Sequence, residues 1–90
     1  CDALQPPETK PINLAVLRGR AEPGVAVTDD EVREAQRFAF SRLRLVVEPG
    51  GAAALAAALG GKVPLDEHTV VMLTGGNTDP ASYAATLAGR

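Results

Sequence analysis

Met72-Leu73-Thr74-Gly75-Gly76-Asn77-Thr78-Asp79-Pro80 is the stretch on which the fold turns. Val70-Val71-Met72-Leu73 is a short apolar run of strand character, and it ends in a hydroxyl residue and two glycines. A helix start follows at once. A β-branched hydroxyl at a strand's carboxyl end, with glycine beside it, offers one hydrogen bond to a small ligand. Ligands of open α/β sheets sit in the crevice outside such strand ends. Glycine lets the backbone turn with positive φ and leaves room for a flat group to approach. Gly-Gly is equally an ordinary strand-to-helix turn, so on this segment alone the ligand stays open.

Beyond the glycines, Asp79 is placed to cap a final helix with Pro80 as its first residue. Tyr83 and Leu87 make an i, i+4 apolar pair there. Upstream, residues 62–68 read as a polar loop. The run Ala52-Ala53-Ala54-Leu55-Ala56-Ala57-Ala58-Leu59 is built almost wholly of the best helix former. Gly60-Gly61 ends it. Lacking a charged face, it belongs inside, between layers that approach its backbone closely. Glu48-Pro49-Gly50-Gly51 turns the chain into that helix from a second short strand, Leu45-Val46-Val47.

Thr28-Asp29-Asp30-Glu31 is a capping box, and Val27 and Val32 stand at the positions of a hydrophobic staple. The helix it opens is expected over residues 29–43, with Val32, Ala35, Ala39 and Leu43 as its apolar stripe and Phe38 and Phe40 at the edges. Arg33, Glu34, Arg37, Ser41 and Arg44 fall opposite, as a solvated face. Val25-Ala26-Val27 reads as a further strand, Ile12 to Arg20 as a short helix, and the proline-bearing residues 1–11 as an extended connector. Short strands alternating with helices give an α/β class.

Ninety residues make one domain at most, or a piece of a larger one. Such a chain buries roughly 60–65 % of its unfolded surface, enough for a small core but not for a deep enclosed site. The hydrophobic fraction is 46 % but aromatics supply only 3 %, so the core depends on close backbone approach. The net charge is −2 and the basic residues are interleaved with acids, without stacking aromatics. Nucleic acid is therefore not an expected partner. No apolar stretch approaches the ~20 residues that span a bilayer, and none reads as a signal sequence. The single cysteine, Cys1, cannot form an internal disulfide, which fits a reducing cytoplasm. A chain that opens on cysteine is expected to be cut from something longer.

Few constellations could carry chemistry. His68 is the only histidine and no carboxylates are spaced as metal ligands. No Ser/His/Asp set assembles, and neither Gly50-Gly51 nor Gly75-Gly76 precedes a Lys-Ser/Thr pair. Glu48 and Thr74 remain. Each closes an expected strand, each precedes a turn and a helix, and in a parallel sheet the two side chains would converge. Each also has a local explanation: Glu48 favours a helix amino terminus by ~0.3–1 kcal/mol, and threonine favours strands.

Taken together, Thr28-Asp29-Asp30-Glu31, Val46-Val47-Glu48-Pro49-Gly50-Gly51-Ala52-Ala53-Ala54-Leu55 and Leu73-Thr74-Gly75-Gly76-Asn77 resemble, in order and spacing, the carboxyl end of the PLP-dependent threonine/serine dehydratases. These are relatives of serine racemase in the tryptophan-synthase-β fold type, fold type II. The resemblance covers about residues 28–87 and is looser before them, through Asp2-Ala3-Leu4 and Pro11-Ile12-Asn13.

It implies that residues 1–90 are the C-terminal part of a catalytic domain in a cytoplasmic, homo-oligomeric enzyme acting on a small amino acid. It further implies that the Thr74 hydroxyl bonds the pyridine nitrogen of pyridoxal 5'-phosphate and that Glu48 lines the cofactor pocket. The family more usually has Ser where Thr74 stands, and Ser is common where Gly50 stands. Its Schiff-base lysine and glycine-rich phosphate loop lie upstream, so neither Lys10 nor Lys62 is expected to be catalytic. The missing N-terminal part of the enzyme is then this chain's first partner, and the chain alone is expected to be inactive. Rival readings are a racemase or other β-eliminating relative, and a stand-alone α/β binding module without chemistry.

Overall fold

The computed structural model describes residues 2–89. Cys1, and the compartment reading that rests on it, lie outside the described residues. The fold is organised around the helix opened by the capping box. The Glu31 N–H donates to Thr28 Oγ1 at 3.1 Å and the Thr28 N–H to Glu31 Oε2 at 3.0 Å, satisfying two amides that the first turn would leave orphaned. From there α2 runs over Asp29–Phe38. Val32 and Ala35 are buried along it, and Val27 packs half-buried against the same cluster, completing the staple.

The helix does not continue regularly to residue 43 as the stripe suggested. Ala39–Leu43 forms a wider π-type turn, closed by Arg44 in the left-handed region at φ 58° with its N–H on Ala39 O. A π turn holds more residues than an α turn, so the stripe drifts off the core. Ala39 is still buried, but Leu43 is exposed. Arg37 departs from the solvated face as well: it is half-buried, and its Nη1 donates to Thr86 O at 3.1 Å, tying α2 to the last helix.

A short 3-10 turn, Gly50–Ala52, leads into α3, Ala53–Leu59. Leu55, Ala56 and Ala57 are buried against α2, whereas Ala54 and Leu59 face outward, so the alanine helix has one inner side rather than being enclosed all round. The last helix, α4, spans Pro80–Leu87 and is capped by Asp79, which accepts the Ser82 N–H at 2.9 Å. That amide holds the Asp79 carboxyl below its ordinary pKa. Tyr83 is buried edge-on to Phe40, ring centroids 6.3 Å apart, and burial pushes its phenol pKa up. By contrast α1, Pro11–Leu17, has no buried residue. Its Ile12 is 74 % exposed. The radius of gyration, 14.2 Å, exceeds the roughly 12 Å of a compact domain of this length.

The strands expected at 25–27, 45–47 and 69–73 are not formed among the described residues. The physical reason is that a strand is completed by its neighbour. Residues 70–73 make no backbone hydrogen bond among the described residues, and the bonds between the Glu48 and Thr74 segments join only their turns. The period-two pattern is nevertheless present in the packing: Val70 and Met72 are 84 % and 65 % exposed, while Val71 and Leu73 pack against the core. Among the described residues no helix is long and apolar enough to cross a membrane.

Candidate functional site

The two turns that carry Glu48 and Thr74 interlock. The Glu48 N–H donates to Gly75 O at 3.1 Å and the Thr74 N–H to Gly51 O at 3.3 Å. This approach is possible because Gly51 has no Cβ: one placed there would overlap the Thr74 carbonyl oxygen and lie 2.6 Å from its carbon. Gly75 has φ +64°, and any Cβ on it would run into the Glu48 carboxylate. The turns that carry Glu48 and Thr74 therefore meet through their backbones, and the Glu48 carboxylate lies against Gly75, with no sheet of described residues beneath them.

Glu48 is half-buried and Thr74 exposed. Among the described residues no Lys or Arg pairs with Glu48 and no group bonds the Thr74 hydroxyl. The lip thus carries a neutral hydroxyl, unbonded among the described residues, on the residue next to the Gly75 against which the Glu48 carboxylate lies, and the first helix beyond it, α4, starts at Pro80. Such a pair can orient a small polar ligand and accept or give one hydrogen bond. It offers no nucleophilic amine.

Neither lysine stands at this lip. Lys62 Nζ donates to Ala26 O at 2.8 Å and pairs with Glu31 Oε2 at 2.9 Å, so it fastens the exit of α3 to the start of α2. The Thr28 amide first, and this ammonium second, hold the Glu31 carboxyl below its ordinary pKa. Lys10 precedes α1 in the exposed amino-terminal segment. His68 is exposed, 3.4 Å from Glu67, and no cluster of metal-ligating side chains occurs among the described residues.

One residue of the site escaped sequence reasoning. Gln36 is only 2 % exposed, and its Nε2 donates to Val47 O at 2.9 Å, directly behind Glu48. The available signal was a long polar side chain four residues after Val32 on an otherwise apolar stripe.

Comparison with known proteins places the sequence in a family. The chain is 41 % identical over 88 residues to a phenylserine dehydratase from Ralstonia pickettii, covering 96 % of this chain and 27 % of the relative. It is 36 % identical over 75 residues to an L-threo-3-hydroxyaspartate ammonia-lyase from a Pseudomonas species, 82 % of this chain and 24 % of the relative. Serine racemase from Mus musculus is 32 % identical over 92 residues, 88 % of this chain and 27 % of the relative. The chain therefore spans about a quarter of the length of the curated relatives it matches. No solved structure matches it significantly. The family described as pyridoxal-phosphate dependent enzyme matches residues 1–75, most of the chain, and it is to this family that the chain belongs.

Proposed function

We propose that the full-length enzyme is a lyase that eliminates water from L-threonine or L-serine, releasing ammonia and a 2-oxo acid, and that this chain forms one edge of its cofactor site. The names of two relatives, phenylserine dehydratase and hydroxyaspartate ammonia-lyase, support the class, since both substrates are β-hydroxy amino acids. The observation that carries the reading is the interlocked lip with its exposed Thr74 hydroxyl, which no group bonds among the described residues.

The donor set fits pyridoxal phosphate. A neutral hydroxyl suits a pyridine nitrogen, and the glycines let the Thr74 turn close against Gly51 and the Glu48 carboxylate. Thr74 would hold the ring nitrogen, and Glu48 would line the pocket next to it. When bound, the cofactor supplies the electron sink that makes the substrate's α-proton acidic. Thr74 brings no negative charge, so it does not favour a protonated pyridine. That suits elimination, where the departing β-hydroxyl carries electrons away. In the same reading, residues 45–47 and 69–73 become strands of an α/β sheet completed by the rest of the enzyme. The alternation of Val70 to Leu73 supports this.

The test is substitution at Thr74 in the full-length enzyme. Thr74→Ser keeps the donor and should retain much of the activity. Thr74→Val should bind cofactor less well and lose rate, because a ring nitrogen left unpaired costs ~1–3 kcal/mol. Wild-type turnover and affinity in Thr74→Val would remove this residue from the ring nitrogen. Similarity to serine racemase supports a second reading, racemisation. It is separated from the first by measuring 2-oxo acid against D-serine from L-serine.

A further inference from the structure

The geometry points to Gln36 as a positioning residue for the Thr74 hydroxyl, an inference that rests on the cofactor-edge reading above. Gln36 sits on the inner stripe of α2 among Val32, Ala35 and Ala39. A primary amide gains nothing there from packing alone, because burial without a partner is costly. Its partner is Val47 O, at 2.9 Å. That carbonyl and the Glu48 N–H belong to one planar peptide unit. Gln36 grips one end of the plane, and the other end donates to Gly75 O, the residue next to Thr74.

A second bond returns from Thr74 N–H to Gly51 O. Helix α2 is thus connected to the Thr74 turn through a single rigid peptide. The helix end is itself fixed by the Thr28–Glu31 capping box. Rotating the Val47–Glu48 plane would move the Gly75 carbonyl and, with it, the direction of the Thr74 hydroxyl. Gln36 therefore acts on the cofactor through the backbone and does not touch it.

The experiment is a double-mutant cycle in the full-length holoenzyme. Gln36→Met preserves side-chain length and removes the donor. The dissociation constant for pyridoxal phosphate should rise about three- to tenfold, the scale of one buried hydrogen bond, and the cofactor's absorption should shift. In a Thr74→Val background the same change should add less than about twofold, since both substitutions act on one contact. Val32→Ala, on the same stripe but without a bond to Val47, should lower Tm while leaving affinity and spectrum unchanged. If Gln36→Met does not fold, Gln36→Asn keeps the amide but falls short of Val47 O, and it is read the same way. Weakened binding in Thr74→Val with none in the Gln36 variant, or full additivity of the two, overturns the inference and spares Thr74. Wild-type binding in Thr74→Val overturns both.

Discussion

Helices α1 and α3 are each seven residues long and wholly apolar apart from Asn13, yet they occupy opposite environments. The first carries the larger side chains, Ile12, Leu14, Val16 and Leu17, and buries none of them. The second is mostly alanine and buries Leu55, Ala56 and Ala57. Side-chain hydrophobicity therefore does not decide which is inside. What decides is a facing surface: α3 has α2 against it and is mounted on the Gly50–Ala52 turn, whereas α1 packs on no other described helix. Small side chains let α3 come close to α2, and dispersion and burial reward that closeness.

The comparison breaks most severely at the mount of α3. Gly51→Ala forces a methyl into the Thr74 carbonyl and should cost about 3 kcal/mol or more in a urea titration. A neutral result would mean that the turn and Thr74 are not in contact. Within α3, Ala57→Leu should lose about 1–3 kcal/mol through overpacking. Ala54→Leu, on the outer side, should stay within about 0.5 kcal/mol. Equal effects at both positions would erase the distinction between the faces.

Acid should loosen the α2–α3 pair and leave α1 unaffected. Glu31 has a depressed pKa in the folded chain, so its stabilisation is fully present above the unfolded carboxylate value and fades as pH falls through the folded one. Urea midpoints measured down through that range should fall for the wild type and fall less for Glu31→Gln, the remaining slope belonging in part to Asp79. An identical slope in both proteins would contradict this. The smallest effect belongs to α1, where Ile12→Ala should change stability by less than about 0.5 kcal/mol. A larger loss would show that α1 is docked.

These contrasts explain what the residues disclose in advance. The Thr28 capping box, the Asp79-Pro80 helix start and the alanine helix were legible because each depends on neighbours within four positions. Glu48 and Thr74 were singled out as ends of two expected strands; the glycines at 51 and 75 that let their turns interlock act through atoms distant in sequence. The strands were not legible, because their hydrogen bonds depend on partners distant in sequence. Gln36 was hidden for a similar reason: its acceptor, Val47 O, lies eleven residues away and is a backbone atom that no side-chain pattern announces. Arg37 looked solvated because its acceptor, Thr86 O, stands on another helix.

The wide turn at Ala39–Leu43 carries a consequence for changes in chain length. A π turn is geometrically an α-helix that has accommodated one additional residue without unravelling. Most single-residue deletions inside a helix rotate everything downstream by about 100° and scramble its buried face. Here, deletion of Ser41 would instead relax the turn toward regular α geometry, keeping Val32, Ala35 and Ala39 where they are. This segment should therefore absorb the loss of one residue, whereas the neighbouring turns of α2 should not.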